Sequence, residues 1–90
     1  MITIIIPEPL KKLADGEITV SVQASTISDA FAKLFSRYPG MAPRLLDERG
    51  SIRKWVNVYL NEENIRFLQD ERTPVKEGDE LSIVPASAGG

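Results

Sequence analysis

The residues best placed to do chemistry stand at the end of the chain, where Gly89 and Gly90 follow Ala86, Ser87 and Ala88. The expected reactive group is the α-carboxylate of Gly90, because a terminal carboxyl with a pKa of roughly 3.3–3.7 is ionised at neutral pH. Glycine lacks a Cβ, so the last two residues can enter a narrow channel and take backbone angles closed to other residues. Ala86, Ser87 and Ala88 keep the approach slim, and the six residues after Val84, if extended, reach about 20 Å. A terminal Gly-Gly alone is a weak signal, since at about 7% glycine usage a frayed end shows the pair by chance in roughly 0.5% of chains. Its weight comes from the context, an apolar run closed by Pro85 and followed by small residues only.

Little else in the sequence offers reactivity. The 90 residues contain no cysteine and no histidine. Disulfides and thiolate metal sites are therefore excluded, along with the commonest general base and the commonest transition-metal ligand. Glu62, Glu63, Asp70, Glu71, Asp79 and Glu80 form adjacent acidic pairs, but most fall in turn-rich sequence, where paired acids are ordinarily solvated charge. No catalytic residue and no metal site is assigned. There is no glycine-rich phosphate loop either. The net charge of −2 argues against nucleic acid, which selects a basic stripe. The opening Met1–Ile6 run lacks the basic region and small-residue cleavage site of a signal peptide. No apolar run approaches the ~20 residues of a membrane span. The expectation is a cytoplasmic protein that binds neither membrane nor nucleic acid.

The elements that must carry the tail are legible from periodicity. The length fits one domain, which buries roughly 60–65% of its unfolded surface. Ile2, Ile4 and Ile6 alternate with Thr3 and Ile5 up to Pro7, the pattern of a strand with one buried face. Ile18, Val20 and Val22 repeat it, and the segment 7–16, with two prolines and Asp15-Gly16, reads as a turn or long hairpin loop. Ile27, Ala30, Phe31, Leu34, Phe35 and Tyr38 lie on one helical stripe. Thr26 is placed to cap that helix and Pro39-Gly40 to end it. Residues 43–48 suggest a short helical turn. A strand over 54–61 puts Val56, Val58 and Leu60 on one face and Trp55, Asn57 and Tyr59 on the other. A turn at 61–64, a short strand at 65–67, a turn at 77–79 and a last strand at 80–84 complete the order. Residues 1–84 are expected to form the domain and 85–90 a flexible tail with nothing to pack against. One helix covers one face of a sheet, so the other face is left for solvent or a partner. Ile4, Val20, Phe31, Leu34, Val58 and Ile83 are expected to share the core.

Two stretches resemble the MoaD/ThiS small sulfur carriers. Val56-Asn57-Val58-Tyr59-Leu60-Asn61-Glu62-Glu63-Asn64-Ile65-Arg66-Phe67 is similar to the central stretch of that family. The segment from Glu77-Gly78-Asp79-Glu80 through Pro85 to Gly89-Gly90 resembles its strand, proline and Gly-Gly ending. The similarity runs in order over nearly the whole chain, and its length and both stretches look closest to the branch serving cysteine synthesis. The resemblance implies an α+β, β-grasp (ubiquitin-like) fold, a mixed sheet of four to five strands on one main helix.

It also implies a carrier rather than an enzyme. The carboxylate of Gly90 is a poor electrophile, so forming a thiocarboxylate requires activation, naturally as an acyl adenylate that sulfur then opens. No cofactor is expected on this chain. ATP and Mg²⁺ would come from an E1-like activating enzyme, and a second partner, of the cysteine synthase type or a molybdopterin synthase large subunit, would accept the sulfur. Ala86, Ser87, Ala88 and Gly89 would enter the partner's channel. Val84 sits where ubiquitin-like proteins place an apolar contact, and Trp55 and Tyr59 are the aromatic anchors of the same expected face; alternatively they are ordinary cross-strand packing. Asn57 has no clear role. The alternatives are a small subunit of molybdopterin synthase, a ubiquitin-like modifier conjugated through Gly90, and a plain interaction module.

Overall fold

The computed structural model of the protein describes residues 1–86. Five strands form one sheet: β1 (Ile2–Ile5), β2 (Thr19–Val22), β3 (Val56–Leu60), β4 (Glu63–Asn64) and β5 (Glu80–Pro85). Their order is β2-β1-β5-β3-β4. The β1–β5 pair is parallel and the others are antiparallel, which makes the sheet mixed. The main helix, α1, spans Ile27–Arg37, and a short α2 spans Ala42–Leu45. This is the expected β-grasp arrangement.

The core follows the two periods of the sequence. Strand residues of one parity (Ile2, Ile4, Val20, Val22, Val56, Val58, Leu81 and Ile83) are buried, and they meet Ile27, Ala30, Phe31 and Leu34 from one stripe of α1. Phe31 and Phe35 stack with ring centroids 5.7 Å apart. The helix begins as expected: Thr26 Oγ1 accepts from the Asp29 amide at 3.1 Å, while Asp29 Oδ2 accepts from the Ser25 amide at 3.1 Å. That reciprocal pair satisfies two backbone donors at the helix start.

Five expectations need correction. The segment expected as a loop before β2 contains a 3₁₀ helix, Glu8–Ala14, which buries Leu10 and Ala14. Pro9 suits its first turn, where no amide bond is lost. Ile18 is 60% exposed although it shares parity with Val20, because the chain bends there and β2 starts only at Thr19. The turn expected over 61–64 is tighter. Asn61 and Glu62 both have positive φ (49° and 81°), a two-residue hairpin that frees Glu63–Asn64 to pair with β3. Ile65–Phe67, expected as a strand, is a 3₁₀ turn capped by Asn64 Oδ1, which accepts from the Arg66 amide at 2.9 Å. The short helical turn expected at 43–48 lies slightly earlier, at α2, where Met41 and Leu45 add buried bulk to the core.

A polar knot around the buried Asp79 joins the β3–β4 turn to the start of β5. Asn61 Nδ2 donates to Asp79 Oδ1 at 2.9 Å, Asn61 Oδ1 accepts from the Glu80 amide at 2.8 Å, and Asp79 Oδ2 accepts from the Lys76 amide at 2.8 Å. Burial pushes the Asp79 carboxyl up, but the Asn61 side chain, the Lys76 amide and the Lys76 charge outweigh it and hold the carboxyl below its usual range. A carboxyl lowered on folding stabilises the fold above its unfolded pKa of about 3.9, and that contribution is lost as pH falls through the lower folded value. Melting temperature is therefore expected to hold from neutral pH to about 5 and to drop below about 4. Asp47, lowered by the Ser51 amide first and then, against the upward push of burial, by the Arg49 amide and the charges of Arg49 and Arg53, shares in that drop. A carbon-detected NMR titration reads the two carboxyls separately; an Asp79 midpoint at or above 3.9 would rule the knot out as a source of acid sensitivity.

Candidate functional site

The site begins where β5 hands the chain to its last residues. Strand parity puts Ser82 and Val84 on the face opposite the core, and the register sets Val84 against Asn57 and Ser82 against Tyr59. Val84 is 44% exposed, and Tyr59 and Asn57 are half-buried. Ile5, also half-buried, joins this outer face from β1, opposite Ser82. The result is an open, mildly apolar patch beside the tail root. Trp55 lies in the turn before β3, not in the strand, with its side chain 47% exposed. Val84 and Tyr59 thus share one sheet face, and Trp55 stands at the end of that face where the tail departs.

The strand expected over 80–84 runs one residue further, and Pro85 closes it as the last residue of β5, facing Val56. Its missing N–H costs nothing, because β1 has already stopped at Ile5, opposite Ser82, and asks for no bond on that side. Ala86 is not free either: its amide donates to the Trp55 carbonyl at 2.6 Å. Ser87, Ala88, Gly89 and Gly90 lie outside the described residues.

One residue of the site went unassigned in the sequence. Arg66 Nη1 donates to Asn57 Oδ1 at 2.8 Å, while Nη2 donates to the Val56 carbonyl at 3.0 Å and the Lys54 carbonyl at 3.1 Å. This also gives Asn57 its role, as the acceptor that orients the guanidinium. The signal was present in the central stretch, where Asn57 and Arg66 both stand, but an expected strand at 65–67 gave no reason to bring them together. Among the described residues no three carboxylates gather as a metal site, and no helix is long and apolar enough to cross a membrane. The adjacent acids stay apart in role: Asp79 is buried in the polar knot, while Glu62, Glu63, Asp70 and Glu80 are exposed.

Comparison with known proteins agrees with this geometry. A sequence model of the ThiS family matches residues 4–90. The sulfur carrier protein CysO of Mycobacterium tuberculosis is 34% identical over 91 residues, covering 99% of this chain and 98% of that one. Small archaeal modifier protein 3 of Haloferax volcanii is 33% identical over 66 residues, covering 73% of this chain and 71% of the relative. Among solved structures, the BexX/CysO complex of Amycolatopsis orientalis contains a chain that superposes with a TM-score of 0.92 at 36% identity, each chain covered in full. With the family matched over residues 4–90 and a relative aligned from end to end, the chain belongs to the ThiS family of ubiquitin-like sulfur carriers.

Proposed function

We propose that this protein is a sulfur carrier consumed and regenerated as a cosubstrate, with Gly90 as its working residue. A carboxylate oxygen of Gly90 attacks the α-phosphorus of ATP, the bond to the β-phosphate breaks, and pyrophosphate leaves. Hydrosulfide then attacks the acyl carbon of the adenylate, AMP leaves, one proton is released, and the chain ends in a thiocarboxylate. An E1-like enzyme supplies ATP, Mg²⁺ and the nucleotide site. The carried sulfur passes to an acceptor enzyme of the cysteine synthase type. The observation that carries this reading is the end-to-end likeness to CysO. The geometry of β5 supports it, since the strand ends at Pro85 beside an open sheet face, past the last core residue, Ile83.

The test is a mass measurement on the intact protein. After incubation with ATP, Mg²⁺, an E1-like enzyme and sulfide, a gain of about 16 Da is expected, one oxygen exchanged for sulfur. The likeness to a small archaeal modifier favours one second reading, in which a lysine amine takes the place of hydrosulfide and Gly90 ends in an amide. Amide conjugates without the mass gain would establish that reading in place of the carrier.

The outer face is the proposed docking surface for the activating enzyme, with Val84, Tyr59 and Trp55 as its contacts. Val84→Arg is expected to weaken the complex about tenfold or more, because a charge would enter an apolar contact. Stability should change by no more than about 0.5 kcal/mol at this exposed position. Unchanged affinity in a calorimetric titration would remove Val84 from the surface.

A further inference from the structure

We infer that Arg66 is a positioning residue that fixes where the C-terminal tail leaves the sheet, acting through the residues that lead into β3. Its consequence for turnover rests on the carrier reading; its structural content does not. β4 pairs only with Tyr59 and Leu60, so among the described residues the same edge of β3 has no strand beside it nearer its start. Arg66 occupies that edge. One nitrogen, Nη2, bridges the carbonyls of Lys54 and Val56, and the other, Nη1, holds the Asn57 side chain. A guanidinium spreads its donors over a rigid planar fork that spans these separated acceptors, whereas the three donors of an ammonium radiate from one nitrogen.

The opposite edge of the same residues carries the end of β5. Val56 faces Pro85, Asn57 faces Val84, and the Trp55 carbonyl accepts from the Ala86 amide. Residues 54–57 are thus clasped between one side chain and the last described part of the chain. Lys54 and Trp55 are turn residues, so no ladder holds them. The turn is closed by the Val56 amide donating to the Arg53 carbonyl at 3.0 Å, and Arg66 braces its other carbonyls. Beyond the paired residues of β3 and β5, the Ala86–Trp55 bond is the last backbone attachment of the described chain and so anchors the tail root. Losing Arg66 returns the Lys54 and Val56 carbonyls to water and frees the turn that aims the Trp55 carbonyl.

Backbone amide exchange of the isolated protein, followed by NMR, tests this without any enzyme. In Arg66→Ala the Ala86 amide should exchange about fivefold to tenfold faster, while Ile4 and Leu34 in the core exchange as in the wild type. Arg66→Lys should fall between the two, since it can reach the carbonyls but not Asn57 as well. With the activating enzyme, kcat for adenylation should fall in Arg66→Ala while KM for the carrier holds, because the tail is misdirected and not the docking face. Unchanged Ala86 exchange overturns the inference. So does faster exchange at Ile4 and Leu34 too, which would make Arg66 a general stabiliser, or a raised KM at constant kcat, which would make it a partner contact. If the wild type is not adenylated at all, the carrier reading fails and the exchange data still decide the role of Arg66.

Discussion

A chain lacking Gly90 is expected to gain no mass under conditions in which the wild type takes up sulfur. Each extended residue advances the chain about 3.5 Å, so a terminus at Gly89 stops that far short of the α-phosphate. A misplacement of 1 Å can cost about a hundredfold in rate, so the loss should exceed that factor comfortably. Adding one residue after Gly90 should be as damaging, because the carboxylate then overshoots. Neither change touches the core, which closes at Ile83. The melting temperature should therefore match the wild type in both variants, separating lost chemistry from lost fold. Adenylation of the shortened chain at the wild-type rate would end the carrier proposal.

Leu34→Ala should remove about 2–5 kcal/mol of stability in a urea titration. Leu34 is fully buried, on the stripe of α1 that faces the sheet. Truncation leaves a cavity between helix and sheet. Domains are stable by only about 5–15 kcal/mol, so the variant should be partly unfolded at growth temperature. A loss below about 1 kcal/mol would mean the site collapses freely and that α1 is not packed as described.

Most of the fold was readable because each buried surface leaves a period in the sequence. Ile4, Val20, Phe31, Leu34, Val58 and Ile83, expected in the core, are all buried. Thr26 caps α1 as its type and position imply. The failures share a cause: short elements leave no period. Seven residues of 3₁₀ helix at Glu8–Ala14 offer only Leu10, Leu13 and Ala14 as a trace, and two prolines masked it. Ile65–Phe67 alternates like a strand, yet only its turn geometry lets Arg66 reach back to Asn57. Of the site, the outer-face placement of Val84 and Tyr59 followed from parity alone. The guanidinium clasp did not, because a side chain that bonds backbone carbonyls twelve and ten residues away has no local signature.

The place of β5 in the sheet bears on how the protein is made. It is the last described strand along the chain but sits inside the sheet, between β1 and β3. Without it the sheet separates into two hairpins, β1–β2 and β3–β4, with no pairing between them, and α1 loses Leu81 and Ile83 from the core it covers. A nascent chain therefore cannot complete its fold until residues through Pro85 have left the ribosome, and the β1–β5 pairing is then the longest-range strand pairing among the described residues. A copy clipped within β5 would lose the strand that joins the two halves of the sheet, so damage at that end would unfold the domain and not merely shorten it.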